Sequence, residues 1–563
     1  MNSPMESLRL ISLVVFCVSL FLLGEKWVEQ YRGVETAKTK ELLSAVDDVP
    51  TASSSVQPAV SAPGPNASAV PKVAESSEGA EPATATVITV ETDVLRAEVS
   101  TVGGEIRRVE LLQQKDTLDA SKNFVLLEPG GRHTYLAQSG LLGGNLPTHK
   151  AVFTASAQAV KLEDGQDAAT LVLSYLDASS GVKVTRTYRF RRGQYVVEAM
   201  IDVEGLDASV KPTGYFQLVR DDVPPEGDSR WVPTFNGVAV YTEKDKYQKV
   251  QFSDIARGKA SHVKTSGDGW IAMVQHYFVS AWLPAAGDTR EFFTRALGNG
   301  LYAAGVIVPM KAAGGDGHWT LDVPLYVGPQ EQKNMEALAP GLQYTVDYGW
   351  LTVIATPLFW ALSSIQKWLA PNWGVAIILL TIAIKAVFFP LSAASYKSMA
   401  KMRILGPRLQ KLKEQFGDDR QKLHQAMMEM YKTEKINPLG GCLPIVVQIP
   451  VFIALYWVLL GSVEMRHAPF LLWIRDLSSP DPFYVLPVLM GLSMIIQTRL
   501  NPEPPDPIQA KVMKIMPVAF SVFFFFFPAG LVLYWLINNI LSIGQQWYIT
   551  RKLEQAGLAT KRR

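Results

Sequence analysis

A lysine inside a long apolar stretch is the residue of this sequence best suited to electrostatic chemistry. Lys385 lies in AIILLTIAIKAVFFPL, and Thr381 precedes it by one helical turn on the same face. A lysine near the middle of a membrane costs about 2.5–3.5 kcal/mol on insertion scales, so it usually faces water or a partner. The alternative is that its side chain extends to the cytoplasmic side, about six residues away.

Other polar residues are scattered through the apolar segments. They are Gln448, Gln497, Ser521, Asn538, Asn539 and Ser542. Hydrogen bonding between helices is a common role of such residues in membrane bundles. Together with Lys385 they would instead line a wet cavity within the bilayer. The apolar segments contain no carboxylate to neutralise the lysine. An unpaired cation in such a cavity is suited to receiving negative charge from something transient.

The sequence lacks the motifs of several classes of chemistry. The sequence contains no GxxxxGK[ST] phosphate-binding loop, which argues against the use of ATP. The apolar segments contain no carboxylate pair, which argues against a proton-driven pump. The seven histidines are scattered, and Cys17 and Cys442 lack a metal-type spacing. We therefore expect no catalytic residues, no metal and no cofactor.

The apolar segments predict a polytopic helical membrane protein. Four of them follow residue 370, at 373–391, 443–462, 482–500 and 513–549. The last would extend roughly 55 Å as one helix across a core of about 30 Å, so 527–530 is predicted to be a turn between two short helices. With the apolar run at 10–24, this gives six transmembrane helices, five of them in the core.

Charge predicts the orientation of these spans. Residues 397–435 carry ten Lys and Arg against five Asp and Glu, and the tail at 551–563 is basic. Both belong in the cytoplasm by the positive-inside rule, so both termini are expected there. Residues 350–369 have apolar residues at helical spacing: Trp350, Ile354, Leu358, Ala361, Ile365 and Trp368. A further span here would reverse the topology, so the region 331–370 is expected to lie along the periplasmic interface.

The part of the chain before residue 331 divides into three predicted segments. Residues 1–27 are an N-terminal membrane anchor, with a cleaved signal peptide as the alternative. Residues 28–85 form a flexible linker with few aromatic residues. Residues 86–330 alternate in polarity with period two and predict an all-β sandwich. Four arginines there, Arg186, Arg189, Arg191 and Arg192, are expected on a solvated strand face.

A basic, methionine-rich helical hairpin is predicted in the cytoplasm at 392–440, within a membrane core at 371–550. Its two helices are expected to meet at residues 417–418, and methionine-rich faces adapt to varied partners. Its positive charge suits ribosomal RNA and acidic partners. The candidate contact residues are Lys401, Arg403, Arg408, Lys411 and Lys413.

Several stretches closely resemble the YidC family of membrane protein insertases. They are NWGVAIILLTIAIKAVFFPLSAASYKSMAKMR (372–403), EKINPLGGCLPIVVQIPVFIALYWVLLGSVEMRHAPF (434–470), FPAGLVLYWLINNILSIGQQ (527–546) and, in the β-domain, GWIAMVQHYFVSAWLP. The likeness covers nearly everything from residue 86 to 549. A long β-domain is typical of Gram-negative members, in which it is periplasmic.

The resemblance implies a hydrophilic groove that is closed to the periplasm and open to cytoplasm and lipid. A cationic residue that faces this groove is matched here by Lys385, where many members have arginine. The charge is kept, but the planar two-point fork of arginine is not. Thr381 and Tyr534 or Trp535 match other groove positions, and we add Gln448 and Asn538 as candidates. The implied partners are nascent membrane proteins, the lipid bilayer, the Sec translocon, the ribosome and the signal recognition particle receptor, but not DNA.

The sequence therefore predicts an inner-membrane insertase and chaperone that inserts, folds and helps assemble membrane proteins, alone or with the Sec translocon. It is not predicted to be an enzyme. The main alternative is a small-solute transporter or channel with a periplasmic binding domain, for which inverted repeats would be expected and none is evident. A third hypothesis is a membrane-tethered sugar-processing enzyme built on the β-domain.

Overall fold

The computed structural model describes residues 49–50, 85–117, 119–130, 133–207, 209–225, 234–314, 317–416, 419–433, 443–500 and 507–555. The predicted anchor at 1–27, nearly all of the linker, the break at 417–418 and most of the basic tail lie outside these residues. The described residues fold into two compact units. One runs to Thr345 without Gln330–Gln332, and the other comprises that tripeptide and the residues from Val346 onward.

The first unit is built almost entirely of strands, as the period-two alternation predicts. The strands β1 to β21, in chain order, are Val87–Glu91, Leu95–Ser100, Ile106–Lys115, Asn123–Pro129, Thr134–Leu142, Thr154–Ala155, Ala159–Lys161, Ala168–Leu176, Lys183–Arg191, Val196–Glu204, Thr213–Asp221, Gly237–Thr242, Lys246–Val250, Thr265–Ser266, Trp270–Gln275, Phe278–Trp282, Arg290–Gly298, Leu301–Pro309, Lys311–Ala312, Trp319–Asp322 and Leu325–Pro329. The short helices α1 (Phe252–Ala256) and α2 (Gln332–Leu338) and a 3-10 turn at Leu342–Thr345 complete it.

The strands form two sheets that enclose one hydrophobic core. The first sheet has the order β14-β17-β18-β11-β5-β4-β3-β2-β1-β7. The second has the order β13-β12-β15-β16-β21-β10-β9-β8-β6, with β20 beside β10. Pairing is antiparallel except between β1 and the three-residue β7, which are parallel. In β10 every second residue from Val197 to Val203 is buried. This alternation is what an antiparallel sheet with one face on a core requires.

The predicted solvent exposure of Arg186 is wrong. Its side chain is 1% exposed, and it donates from one guanidinium nitrogen to the carbonyl of Gly103 and to Ser139, whose Oγ lies 3.1 Å away. The guanidinium also lies 4.7 Å from the ring centre of Phe153. Arg186 falls on the inward face of β9, where carbonyl groups and an aromatic ring replace water. Arg192, by contrast, is exposed as expected.

The second unit is helical. After a 3-10 turn at Gly349–Leu351, its helices are α3 (Thr352–Trp368), α4 (Trp373–Val387), α5 (Phe389–Ile404), α6 (Gly406–Phe416), α7 (Arg420–Thr433), α8 (Leu443–Gly461), α9 (Val485–Leu500), α10 (Pro507–Phe523) and α11 (Ala529–Gln555). Further 3-10 turns occur at Val463–Met465 and Phe524–Phe526. The predicted break between two helices at 527–530 is confirmed, because Phe527 is extended and α11 begins at Ala529. The expectation that both helices are short is wrong for the second one, because α11 has 27 residues.

The apolar helices of the second unit are short. Across the described ranges, no single helix combines the length and apolar character that a membrane crossing requires. The pair Trp373–Val387 and Phe389–Met399 meets those criteria jointly, across a bend of 64°.

Helix α3 packs against α4 and α8. Its buried residues are Ala355, Phe359, Leu362 and Ser363. Two of the apolar residues that recur at helical spacing in the sequence are open to the surroundings, since Trp350 is 82% and Trp368 77% exposed. The expected position of this region along the periplasmic interface stays a prediction.

The predicted hairpin is divided differently from the expectation. The stretch expected to form its first helix is split between α5, which ends at Ile404, and α6, which begins at Gly406. Pro407 lacks an amide N–H, so it cannot complete the hydrogen bond to the preceding turn, which favours a break before it. Helices α6 and α7 pack against each other, as a hairpin requires.

Candidate functional site

Lys385 lies near the C-terminal end of α4 and is directed at the last helix. Its side chain is 5% exposed, and Nζ donates a hydrogen bond of 2.8 Å to Oγ of Ser542 on α11. The Ser542 hydroxyl donates in turn to the carbonyl of Asn538, at 2.7 Å. No carboxylate of the described chain forms an ion pair with Lys385. The ammonium is therefore held by a neutral hydroxyl among packed helices.

Two residues that the sequence did not single out complete this polar cluster. The amide Nε2 of Gln545 donates to the main-chain carbonyl of Lys385 at 3.3 Å. The phenol of Tyr396 on α5 donates to the carbonyl of Ser542 at 3.4 Å. Gln545 follows Ser542 by one helical turn, and this spacing was the signal that could have identified it. Three helices, α4, α5 and α11, thus meet around Lys385.

Thr381 shares the inward face of α4 with Lys385, as predicted from their spacing. It is 1% exposed, and its hydroxyl donates to the carbonyl of Ile377 at 2.6 Å. A threonine hydroxyl that bonds back to its own helix satisfies its donor locally. Its oxygen keeps accepting capacity.

Tyr534 and Trp535 belong to an aromatic cluster on the same helix, α11. The ring of Phe452 on α8 stacks on Tyr534 at 5.8 Å and meets Trp535 edge-on at 4.4 Å, between ring centres. Trp535 also lies 5.2 Å from Phe524. Gln448 precedes Phe452 by one turn of α8, and its amide nitrogen is buried without a hydrogen-bond partner among the described residues.

One stripe of α11 connects the two clusters. Tyr534, Asn538, Ser542 and Gln545 recur every three or four residues and therefore lie on one face of the helix. The stripe runs from the aromatic cluster to the ammonium of Lys385. The candidate residues of the sequence analysis lie on three helices: Tyr534, Trp535 and Asn538 on α11, Lys385 and Thr381 on α4, and Gln448 on α8.

The remaining polar residues join helices to one another. Asn539 donates to Oγ of Ser493 on α9 at 3.2 Å, and Ser521 on α10 donates to the carbonyl of Pro487 at 2.8 Å. These contacts match the interhelical hydrogen bonding that was one of the two roles considered for such residues. They place Asn539 and Ser521 outside the cluster around Lys385.

The loop between α8 and α9 covers the N-terminal end of α4. Asn372 caps α4 by accepting from the amide of Val375 at 3.1 Å, and its own amide donates to the carbonyl of Pro469 at 3.0 Å. A Cβ on Gly374 would lie 2.1 Å from the ring of Phe470. Glycine is therefore needed for the loop to approach the helix this closely.

The same loop also covers the start of α11. Asp481 is 1% exposed and accepts from Nε1 of Trp473 at 2.9 Å and from the amide of Leu486 at 2.8 Å. The amides of Ala529 and Gly530 donate back to the loop carbonyls of Ser479 and Leu477. The loop is thus bonded to the end of the bundle opposite to the helix end that carries Lys385.

The predicted cytoplasmic contact residues fall on two helices. Arg408 and Lys411 are exposed on α6. Lys401 and Arg403 belong to α5 and Lys413 to α6. Arg408 and Lys411 provide a basic surface on the hairpin.

Comparison with known proteins identifies both units. Residues 87–361 match the family model of the YidC periplasmic domain, and residues 364–556 match that of the 60Kd inner membrane protein. A protein from Methylobacillus flagellatus is 55% identical over 561 residues, covering 99% of each chain. One from Aromatoleum aromaticum is 54% identical over 552 residues, covering 98% of each. Both are named membrane protein insertase YidC.

A solved structure is also similar. It is a crystal structure of an active YidC insertase with the first transmembrane domain resolved, 17% identical to this chain. The similarity covers 82% of this chain and 95% of the other, with a TM-score of 0.38. That score is too low to support a structural argument, so the sequence relatives and the family models carry the assignment.

Proposed function

The chain belongs to the YidC family of membrane protein insertases, and from that membership we propose how its residues act. It works in the inner membrane on membrane proteins, with its β-domain in the periplasm. In the proposal, Lys385, Thr381, Gln448, Tyr534, Trp535 and Asn538 line a hydrophilic groove. The groove receives the polar end of a membrane protein that is being inserted.

The observation that carries this proposal is the environment of Lys385. Its ammonium is nearly buried, its one hydrogen-bond partner among the described residues is the neutral Ser542, and it has no ion pair with a described carboxylate. A buried charge without a counter-charge is costly, and an acidic group brought beside it would lower that cost. An incoming aspartate or glutamate is therefore stabilised while it crosses an apolar layer.

The proposed mechanism needs no chemical fuel. The short hydrophilic end of a substrate enters the groove, where Lys385 and the polar stripe of α11 replace part of its hydration. The apolar segment then slides along the outer faces of the helices into lipid. Each apolar residue contributes a few tenths of a kcal/mol, so about 20 of them drive insertion. Helix α10, which precedes Pro528, has 17 residues and would span about 25 Å, which favours a locally thinned bilayer beside it.

The loop between α8 and α9 supports a groove that is closed to the periplasm. Its hydrogen bonds to Asn372, Ala529 and Gly530 seal the ends of α4 and α11. We place this end on the periplasmic side and the end near Lys385 and the basic hairpin on the cytoplasmic side. A substrate would therefore enter from the cytoplasm and leave sideways into lipid.

The topology of the proposal follows the charge distribution. Six spans place both termini and the hairpin at 392–440 in the cytoplasm, with the β-domain at 86–330 outside and the region 331–370 at the interface. The bent pair of α4 and α5 supports one of these spans. We further propose that the basic hairpin and tail contact the ribosome and the signal recognition particle receptor, and that some substrates arrive through the Sec translocon.

Reconstitution tests the proposal. The purified protein is placed in liposomes with a small phage-coat-like substrate, and protease protection measures insertion. We expect insertion without ATP and without Sec components, and no flux of small solutes. Flux of a small solute in the absence of insertion would support the transporter hypothesis instead.

A further inference from the structure

Helix α4 ends two residues after Lys385, and this leaves the main-chain carbonyl of Lys385 without its helical partner. The last bond of the helix runs from the amide of Phe388 to the carbonyl of Ile384, at 3.0 Å. In a continuous helix the amide of Phe389 would bond to the carbonyl of Lys385, but α4 ends at Val387 and α5 begins at Phe389 after the bend. Carbonyls at the C-terminal end of a helix need partners from elsewhere.

Gln545 supplies that partner from another helix. Its Nε2 donates to the Lys385 carbonyl at 3.3 Å, while Ser542, one turn earlier on α11, accepts from the Lys385 ammonium at 2.8 Å. Helix α11 therefore binds the same residue at both ends, main chain and side chain. The Oε1 atom of Gln545 is buried without a hydrogen-bond partner among the described residues. The side-chain amide of Gln545 therefore contacts this site through its N–H donor.

We propose that Gln545 is a positioning residue for Lys385: it caps the carbonyl freed at the bend and so fixes where the ammonium lies. This inference rests on the proposed role of Lys385 in receiving acidic groups. Without the cap, the end of α4 satisfies its carbonyl by shifting the bend, and the ammonium moves away from the stripe on α11. Insertion of substrates with acidic tails, which need the charge, would therefore be impaired.

The neighbouring glutamine provides a matched control. Gln546 lies on the same helix and its Nε2 also donates to a main-chain carbonyl at 3.3 Å, that of Leu500 on α9. It ties α11 to α9 and does not contact Lys385. Gln545→Met and Gln546→Met remove the same chemical group from adjacent positions and keep the length of the side chain.

The first test measures insertion of two substrates that differ only in Asp/Glu or Asn/Gln in a short N-terminal tail. Gln545→Met should lower insertion of the acidic tail about fivefold, the effect of one hydrogen bond, and leave the neutral tail unchanged. Gln546→Met should not distinguish the tails. In a Lys385→Ala background Gln545→Met should cause no further loss. Equal losses for both tails, or an additional loss without Lys385, would overturn the positioning role.

The second test measures the bend itself. Spin labels at Ile382 on α4 and Lys397 on α5, with Cys17 and Cys442 replaced by serine, report the distance across the bend in nanodiscs. Gln545→Met should broaden or shift the distance distribution, and Gln546→Met should not. An unchanged distribution would overturn the cap. If Lys385→Ala inserts both tails as well as wild type does, the proposed role of Lys385 fails, while this distance still decides whether Gln545 holds the bend.

Discussion

The ammonium of Lys385 and the hydroxyl of Ser542 lie 2.8 Å apart although 157 residues separate them in the chain. The contact joins α4 to α11, and the serine is neutral, so it brings no counter-charge to the ammonium. A neutral partner orients the lysine without cancelling the attraction that an acidic substrate would feel. The identity of residue 542 should therefore control the availability of that charge.

A carboxylate at position 542 should abolish the preference of the site for acidic tails. Ser542→Asp places a negative group beside the ammonium, and this carboxylate would occupy the charge that an acidic tail is expected to use. We expect insertion of acidic tails to fall to the level of Lys385→Ala, while neutral tails insert normally. Ser542→Asn, polar but uncharged, is the control and should keep most of the activity. Normal insertion of acidic tails by Ser542→Asp would contradict a role for the free charge.

The close approach of Gly374 to Phe470 predicts an overpacking defect. A methyl group at Gly374 would lie 2.1 Å from the ring, so Gly374→Ala should destabilise the helical unit by about 1–3 kcal/mol. Thermal unfolding in detergent measures the loss. Phe470→Leu should restore most of the stability in the double variant, because it removes the obstructing ring. If the double variant is no more stable than Gly374→Ala alone, the destabilisation does not arise from contact with the Phe470 ring.

Most of the β-domain should be dispensable for insertion, because all the proposed groove residues lie after residue 350. A deletion of 60–320 keeps the predicted anchor and the interfacial region. We expect it to insert small substrates at close to the wild-type rate, measured by protease protection. Complete loss of insertion by a truncated protein that still reaches the membrane would contradict a purely accessory β-domain.

The exposed cations of the hairpin should contribute to ribosome binding. Arg408 and Lys411 both lie exposed on α6, and Arg408→Glu with Lys411→Glu reverses two charges. Binding of ribosomes to the solubilised protein should weaken several-fold with these changes and with added salt, as contacts to RNA phosphates do. A paired change to glutamine is expected to have a smaller effect. Ribosome binding that is unchanged by both added salt and charge reversal would mean that another surface is used.

Much of the architecture could be predicted from the sequence, because it depends on local patterns. Alternating strands and long apolar runs identified both units, and the spacing of Thr381 and Lys385 predicted their shared inward face. Arg186 was misplaced even though period two puts it on the same face of β9 as Val184 and Tyr188. Its positive charge was taken as the stronger signal, whereas the guanidinium is buried and donates to the carbonyl groups of Gly103 and Ser139.

The contacts of Lys385 depend on helix ends that no local pattern defines. Gln545 acquires its role only because α4 ends at Val387 and frees a carbonyl. Ser542 was recognised as polar, but its pairing with Lys385 requires the packing of α11 on α4.

The charge of Lys385 provides the most direct test of the proposed groove. If the ammonium stabilises acidic groups in transit, Lys385→Arg should retain function, Lys385→Ala should impair acidic tails most, and Lys385→Glu should be worse because it repels them. Neutral tails should tolerate Lys385→Ala, since the polar stripe of α11 still holds water. If the side chain only extended towards the cytoplasmic interface, its removal would ease burial of α4 and leave every substrate unaffected. The measurement is insertion of matched tails that differ only in Asp/Glu or Asn/Gln. Equal insertion of both tails by wild type and by Lys385→Ala would falsify the electrostatic role.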